Sequence, residues 1–202
     1  MDPVGTLARL RPFLIDPAAA VELEPPGSTE SAVLVPFTVV DGRLCLVLTR
    51  RRDDLRRHAG EFSFPGGRRD PGEKDLLATA LRETHEEIGI EPTDVEIIGA
   101  LQPTSTIATG FSLHPFVGLV PAGAARIAEP AEVAEITVLD VAQLMSSADR
   151  ALLSRRDVAF RTAVYPLGDK FIWGATARIL ADLFDRIEHS AADPNREKFA
   201  QG

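Results

Sequence analysis

Cysteine is nearly missing from these 202 residues: Cys45 stands alone, so the chain builds neither an internal disulfide nor a paired-cysteine metal site. That scarcity fits a reducing compartment. Nowhere do 18 apolar residues follow one another, and the opening MDPVGTLARLRPFL carries neither a long apolar stretch nor a small-residue cleavage site. These absences predict a cytoplasmic protein without membrane association. Lysine is also scarce, since 19 of the 22 basic residues are Arg, and bases as a whole are outnumbered by 30 acids. A formal charge of -8 leaves no general positive field to hold nucleic acid or an anionic membrane surface. What remains, 45% hydrophobic and 26% charged, is the composition of a globular chain. The Arg bias reads as codon composition in bulk, yet Arg is also the side chain whose planar fork grips phosphates and carboxylates.

Periodicity organises the chain. Val4, Leu7, Leu10 and Leu14 recur at helical spacing before a linker around Pro25, Pro26 and Gly27, predicting a short amphipathic helix that packs onto the main domain. Two β-rich segments between Ser31 and Arg50 flank Asp41-Gly42, a turn pair suited to positive φ, and so predict a hairpin with Cys45 in its apolar interior. The turn-rich FPGGRRDPGE leads into DLLATALRETHEEIGI, whose Leu77, Leu81, Thr84 and Ile88 line one helical face before Gly89 offers a stop. Strands are expected at Val95 to Leu101, Pro115 to Val120 and Ala134 to Leu139. An amphipathic helix is expected from Thr176 to Ile187, with a frayed tail after His189. The division that follows is residues 1–30 as N-terminal helix and linker, 31–190 as the main domain and 191–202 as tail.

The helix expected within DLLATALRETHEEIGI holds the candidate chemistry. At about 100° per residue from Leu77, the apolar set falls within roughly 40° of zero, while Glu86, Glu83 and Glu87 fall near 180°, 240° and 280°. Three carboxylates are therefore expected on a face turned from the core. Like charges at i,i+3 and i,i+4 cost roughly 0.2–0.5 kcal/mol per pair, and the last turns of a helix disfavour anions. Arg82 offsets only part of that. A solvated acidic face is one explanation. The other is a site for a hard divalent cation such as Mg²⁺, which takes carboxylate oxygens. The neighbouring glycines bring backbone close to a ligand, so the cluster points to phosphoryl chemistry.

Gly66 to Ile90 resembles the Nudix box, G-x5-E-x7-R-E-U-x-E-E-x-G-U, through Arg82-Glu83, Glu86-Glu87 and Gly89-Ile90. Two departures stand out: eight residues separate Glu73 from Arg82, and Thr84 occupies an aliphatic position. Glu73 is accordingly left outside the expected metal set. Upstream, VLTRRRDDLRRHAGEFSFPGG resembles the additional motif of the coenzyme A pyrophosphatase branch through Leu48, Thr49, Arg51, Arg56, Gly60 and Phe64 to Gly67, with Arg52 a mismatch. Similarity extends roughly from Ser31 to Leu183.

The resemblance implies a Nudix fold, an α/β/α sandwich around a mixed sheet, with Mg²⁺ or Mn²⁺ held by Glu83, Glu86 and Glu87. It implies hydrolysis of coenzyme A or a derivative to 3′,5′-ADP and 4′-phosphopantetheine, and it accords with a homodimer. Alternatives are a Nudix pyrophosphatase for ADP-ribose or another nucleoside diphosphate derivative, and a non-catalytic nucleotide sensor. Arg50 to Arg57 carries five Arg and two Asp, a local charge of +3. Arg51 and Arg56 are the candidates for the substrate phosphates, with Gly66 and Gly67 lending backbone. Glu86, Glu132 and Glu135 are candidate general bases. His58 and His85 read as structural, and Trp173 as core packing rather than an adenine platform.

Overall fold

A computed structural model describes residues 1–23, 25, 29–54, 60–105, 110–125, 129–155 and 158–192. Arg56, Arg57, His58 and the tail from 193 on lie outside the described residues.

Asp2 and Asp16 each accept backbone N–H groups at the start of a short helix, α1 (Pro3–Leu10) and α2 (Pro17–Val21), with Pro at each first position. α2 is an element the periodicity did not reveal, because five residues are too few to show a pattern. β1 (Thr29–Val40) and β2 (Arg43–Arg51) form the expected hairpin, with Val40 opposite Arg43 and positive φ at both Asp41 and Gly42. Two short strands follow, β3 (Phe62–Ser63) and β4 (Gly66–Arg68), and then α3 (Leu76–Ile88), capped by Asp75 and closed by Gly89 in the left-handed region. β5 (Glu96–Ala100), β6 (Thr104–Ser105), β7 (Phe111–Leu119) and β8 (Val133–Asp140) complete the main sheet. α4 (Val141–Ser146) then leads to a separate antiparallel sheet of β9 (Asp149–Arg155), β10 (Val158–Leu167) and β11 (Lys170–Ile172). The last element, α5 (Gly174–Ala192), continues beyond His189, where fraying was expected.

The main sheet is mixed. β1 runs parallel to β7 and antiparallel to β2 and β4. β2 also pairs with β3 and β8, and β7 with β5 and β6, all antiparallel. Alternation along β1 divides the core into two layers. Val33, Val35 and Phe37 pack with Leu10 of α1 and with Leu180 and Leu183 of α5, while Ala32 and Leu34 pack with Leu76 and Ala80 of α3. Helices on both faces of a mixed sheet make the α/β/α sandwich. Cys45 is buried within it.

The face of α3 differs from the expected one. Its buried residues are Leu76, Thr79, Ala80, Thr84, Glu87 and Ile88, whereas Leu77 and Leu81 are only half-buried. This set is centred roughly 75° from the apolar stripe, at about 100° per residue. The helix approaches β1 and β4 through small side chains, and the Thr84 hydroxyl donates to Ala80 O at 2.6 Å, so its polarity is satisfied internally. The rotation carries Glu83 and Glu87 toward the sheet.

Candidate active site

Two glycines of β4 make room for those carboxylates. Gly66 has φ +152, and a Cβ there would lie 2.3 Å from Ala32 O, so only glycine fits against β1. At Gly67 a Cβ would sit 2.4 Å from Cδ of Glu83. Backbone pairing of Gly66 with Val33 and Gly67 with Ala32 holds the turn over the end of α3.

Glu87 is 8% exposed and accepts a 3.3 Å hydrogen bond from Gly66 N–H. Burial pushes its carboxyl up to about 8, the Gly66 N–H opposes, Glu83 pushes further up, Arg51 pulls down, and Glu132 pushes up. A carboxylate in this position calls for a positive charge. Glu83 is also buried enough for its carboxyl to sit above the ordinary range, with Arg82 partly offsetting the burial. Glu86 has a 54% exposed side chain, and its Oε2 accepts from Arg82 Nη1 at 2.9 Å. The expectation of three carboxylates sharing one face turned from the core is thus corrected: Glu86 faces solvent, and Glu83 and Glu87 face the glycine turn.

Arg82 is a hub. Its Nε donates to Glu73 Oε1 at 2.8 Å, its Nη1 lies 2.9 Å from both Glu83 and Glu86, and its Nη2 donates to Arg68 O. Glu73 also accepts from Thr79 Oγ1 and Asp70 N–H. Burial opposes its charge, but these donors outweigh burial and hold the carboxyl at about 2. Glu73 thus serves as the anchor of Arg82. Its longer spacing from Arg82 spans the start of α3 and still lets it reach back to that guanidinium.

Among the described residues, no three His, Cys, Asp or Glu side chains already converge on one point. Glu83 and Glu86 share Arg82 instead, and drawing a cation into the group means exchanging that contact. The donor chemistry fits a hard divalent ion nonetheless. Glu87 is a buried carboxylate whose hydrogen bond among the described residues is a long one to backbone, and Glu83 stands beside it.

The Arg-rich segment is less bare than its charge suggests. Arg50 donates to Glu135 and Asp53, Arg52 makes a two-pronged contact with Asp54, and Lys170 of β11 approaches Asp53 at 3.8 Å. β8 brings the acids that the octapeptide count omitted. Arg51 differs: its Nη1 lies 3.5 Å from Glu132, and its buried Nε has no hydrogen-bond partner among the described residues. Its charge reaches Glu87, so structure joins Arg51 to the glycine turn. Glu132 belongs to that neighbourhood too, whereas Glu135 is committed to Arg50. His85 pairs with Glu91 at 3.1 Å, and Trp173 is half-buried ahead of α5. A cleft of about 460 Å³ beside Arg52, Asp53 and Val133 lies along the entrance to β8.

Sheet, glycine turn and acidic helix coincide with a NUDIX domain over residues 28–160, and the chain belongs to that family. Members of the family are hydrolases of small molecules that generally use divalent metal ions. The uncharacterized Nudix hydrolase NudL of Photorhabdus laumondii subsp. laumondii is 36% identical over 176 residues, covering 83% of this chain and 93% of that protein. Solved structures share the fold: a MutT/nudix family protein from Enterococcus faecalis has a TM-score of 0.53 at 19% identity, covering 83% of this chain and 64% of that one. A MutT protein from Methanosarcina mazei Go1 has 0.50 at 20%, covering 87% and 100%. No helix of the described residues is long and apolar enough to cross a membrane.

Proposed function

We propose that this Nudix hydrolase cleaves the pyrophosphate of coenzyme A or its derivatives, releasing 3′,5′-ADP and 4′-phosphopantetheine, or acyl-phosphopantetheine from acyl forms. The observation that carries the reading is Arg51: a guanidinium whose buried Nε has no partner among the described residues, electrically coupled to Glu87 and close in sequence to the motif residues Thr49 and Phe64 to Gly67. Arg51 would bind a phosphate oxygen pair by charge-assisted hydrogen bonds. Arg56, its motif partner, belongs to the same reading. Gly66 and Gly67 would lend the pyrophosphate their backbone, the space beside them being taken by β1 and by the Glu83 carboxylate.

Glu83 and Glu87, joined by Glu86, would hold Mg²⁺ or Mn²⁺ at the glycine turn. Such an ion supplies charge neutralisation for the phosphate oxygens and a more acidic water. Glu86, the most exposed of the three, would accept the proton of the attacking water, while Arg82 fixes its Oε2. In the net reaction water adds to one phosphorus and the bond from that phosphorus to the bridging oxygen breaks.

Incubation with Mg²⁺ or Mn²⁺ and a panel of coenzyme A, acyl forms, ADP-ribose, NADH and nucleoside triphosphates, with products identified by mass, tests the assignment. Coenzyme A or an acyl form is expected to turn over fastest, and preference for ADP-ribose would move the chain to another substrate class. Arg51→Ala should weaken coenzyme A more than dephospho-coenzyme A where Arg51 reads the 3′-phosphate. Equal losses assign it to the pyrophosphate.

A further inference from the structure

Three consecutive Arg residues close β2, and their partners differ in kind. Arg50 and Arg52 each hydrogen-bond to carboxylates that lie beside them. Arg51 has Glu132 at 3.5 Å, and among the described residues this is an ion pair without a hydrogen bond and its buried Nε has no partner. A guanidinium has five N–H donors, and leaving a buried one unmade costs about 1–3 kcal/mol. The contact is therefore a loose one, held in place from behind. Arg52 N–H donates to Glu132 O at 3.1 Å, and the β2–β8 register shifts between Arg50 and Arg51, the kind of irregularity that re-aims a side chain. Backbone thus fixes Glu132 beside Arg51, and the same carboxylate is near enough to Glu87 to push its carboxyl up.

We propose that Glu132 is an internal competitor for Arg51, occupying its guanidinium in the free protein and giving way when a substrate phosphate takes both forks. The inference rests on the reading of Arg51 as a phosphate ligand. Its consequence is a site whose guanidinium is kept oriented by a weak anion that a phosphate displaces, so that apparent affinity is lowered by the fraction of time Arg51 is engaged. Phosphate brings two oxygens to a planar fork, including the Nε that Glu132 leaves unpaired, which decides the exchange in favour of phosphate. Glu132 is a positioning residue in this account. Removing its charge strengthens anion binding, the opposite of what loss of a merely structural contact does.

Calorimetry with inorganic pyrophosphate in the presence of Mg²⁺, on wild type, Glu132→Gln, Arg51→Gln and the double variant, tests it. Glu132→Gln should tighten pyrophosphate about two- to fivefold, the scale of a partly exposed ion pair. In the Arg51→Gln background the same change should have little effect. Unchanged or weaker binding in Glu132→Gln, or full tightening without Arg51, overturns the competitor role while leaving Arg51 a phosphate ligand. Pyrophosphate binding that survives intact in Arg51→Gln overturns Arg51 as a ligand of the pyrophosphate, and the competition proposed for it.

Discussion

Two sets of carboxylates on and beside one helix meet opposite fates. Glu73 and Glu86 are tied to Arg82, and Glu73 takes three donors that hold it charged. Glu87, buried against the glycine turn, has among the described residues a single long N–H contact and a carboxyl raised to about 8, with Glu83 between the two regimes. Glu73 is scaffold where the protein supplies the positive charge, Glu87 is the core of the proposed cation site where it withholds it, and Glu86 would have to exchange Arg82 for the ion.

The sharpest way to break the comparison is to neutralise one side at a time. Glu87→Gln and Glu83→Gln should each lower turnover beyond the roughly 10- to 100-fold cost typical of residues that only support metal ligands, with the fold intact by circular dichroism. Near-wild-type turnover in either would remove it from the cation site. Gly66→Ala comes next: strain at φ +152 and contact with Ala32 O should cost at least about 1–3 kcal/mol, read as a fall in Tm of roughly 2–4 °C per kcal/mol together with lost activity. An unchanged Tm would show that the turn can shift.

Arg82→Lys keeps a charge but loses the fork. Leaving the mostly buried Glu73 short of its main partner should cost about 1–3 kcal/mol, measured by denaturant midpoint. A further pair of effects lies in pH. Glu73 is depressed from 4.5 to about 2, so its stabilisation is present above 4.5 and is lost as pH falls through 2. Glu87 is raised from 4.5 to about 8, so the metal-free protein loses stability as pH climbs from 4.5 through 8. Melts of metal-free protein should show both limbs. Glu73→Gln flattens the acid one and Glu87→Gln the alkaline one.

Much of this was legible in residue order. Asp41-Gly42 marked the hairpin, Gly89 the end of α3, and the box spacing the family. The orientation of α3 was not, because hydropathy favours Leu77 and Leu81, whereas the face it buries includes Thr79, Ala80 and Thr84, with Leu76 and Ala80 against Ala32 and Leu34 of β1. Nor was the pairing of Arg50 and Arg51, since Glu132 and Glu135 lie some 80 residues away and only the β2–β8 ladder brings them across. The three-stranded sheet of β9 to β11 also escaped, as its strands carry polar residues among the apolar ones and break the alternation that marks a strand.

Cation affinity separates the two regimes most directly. Titration of Mn²⁺ into wild type, Glu87→Gln and Glu73→Gln at pH 8 should show Glu87→Gln binding at least about tenfold more weakly, with Glu73→Gln losing less. Wild-type affinity in Glu87→Gln, or a larger loss in Glu73→Gln, would contradict the claim that the carboxylates facing the glycine turn hold the ion.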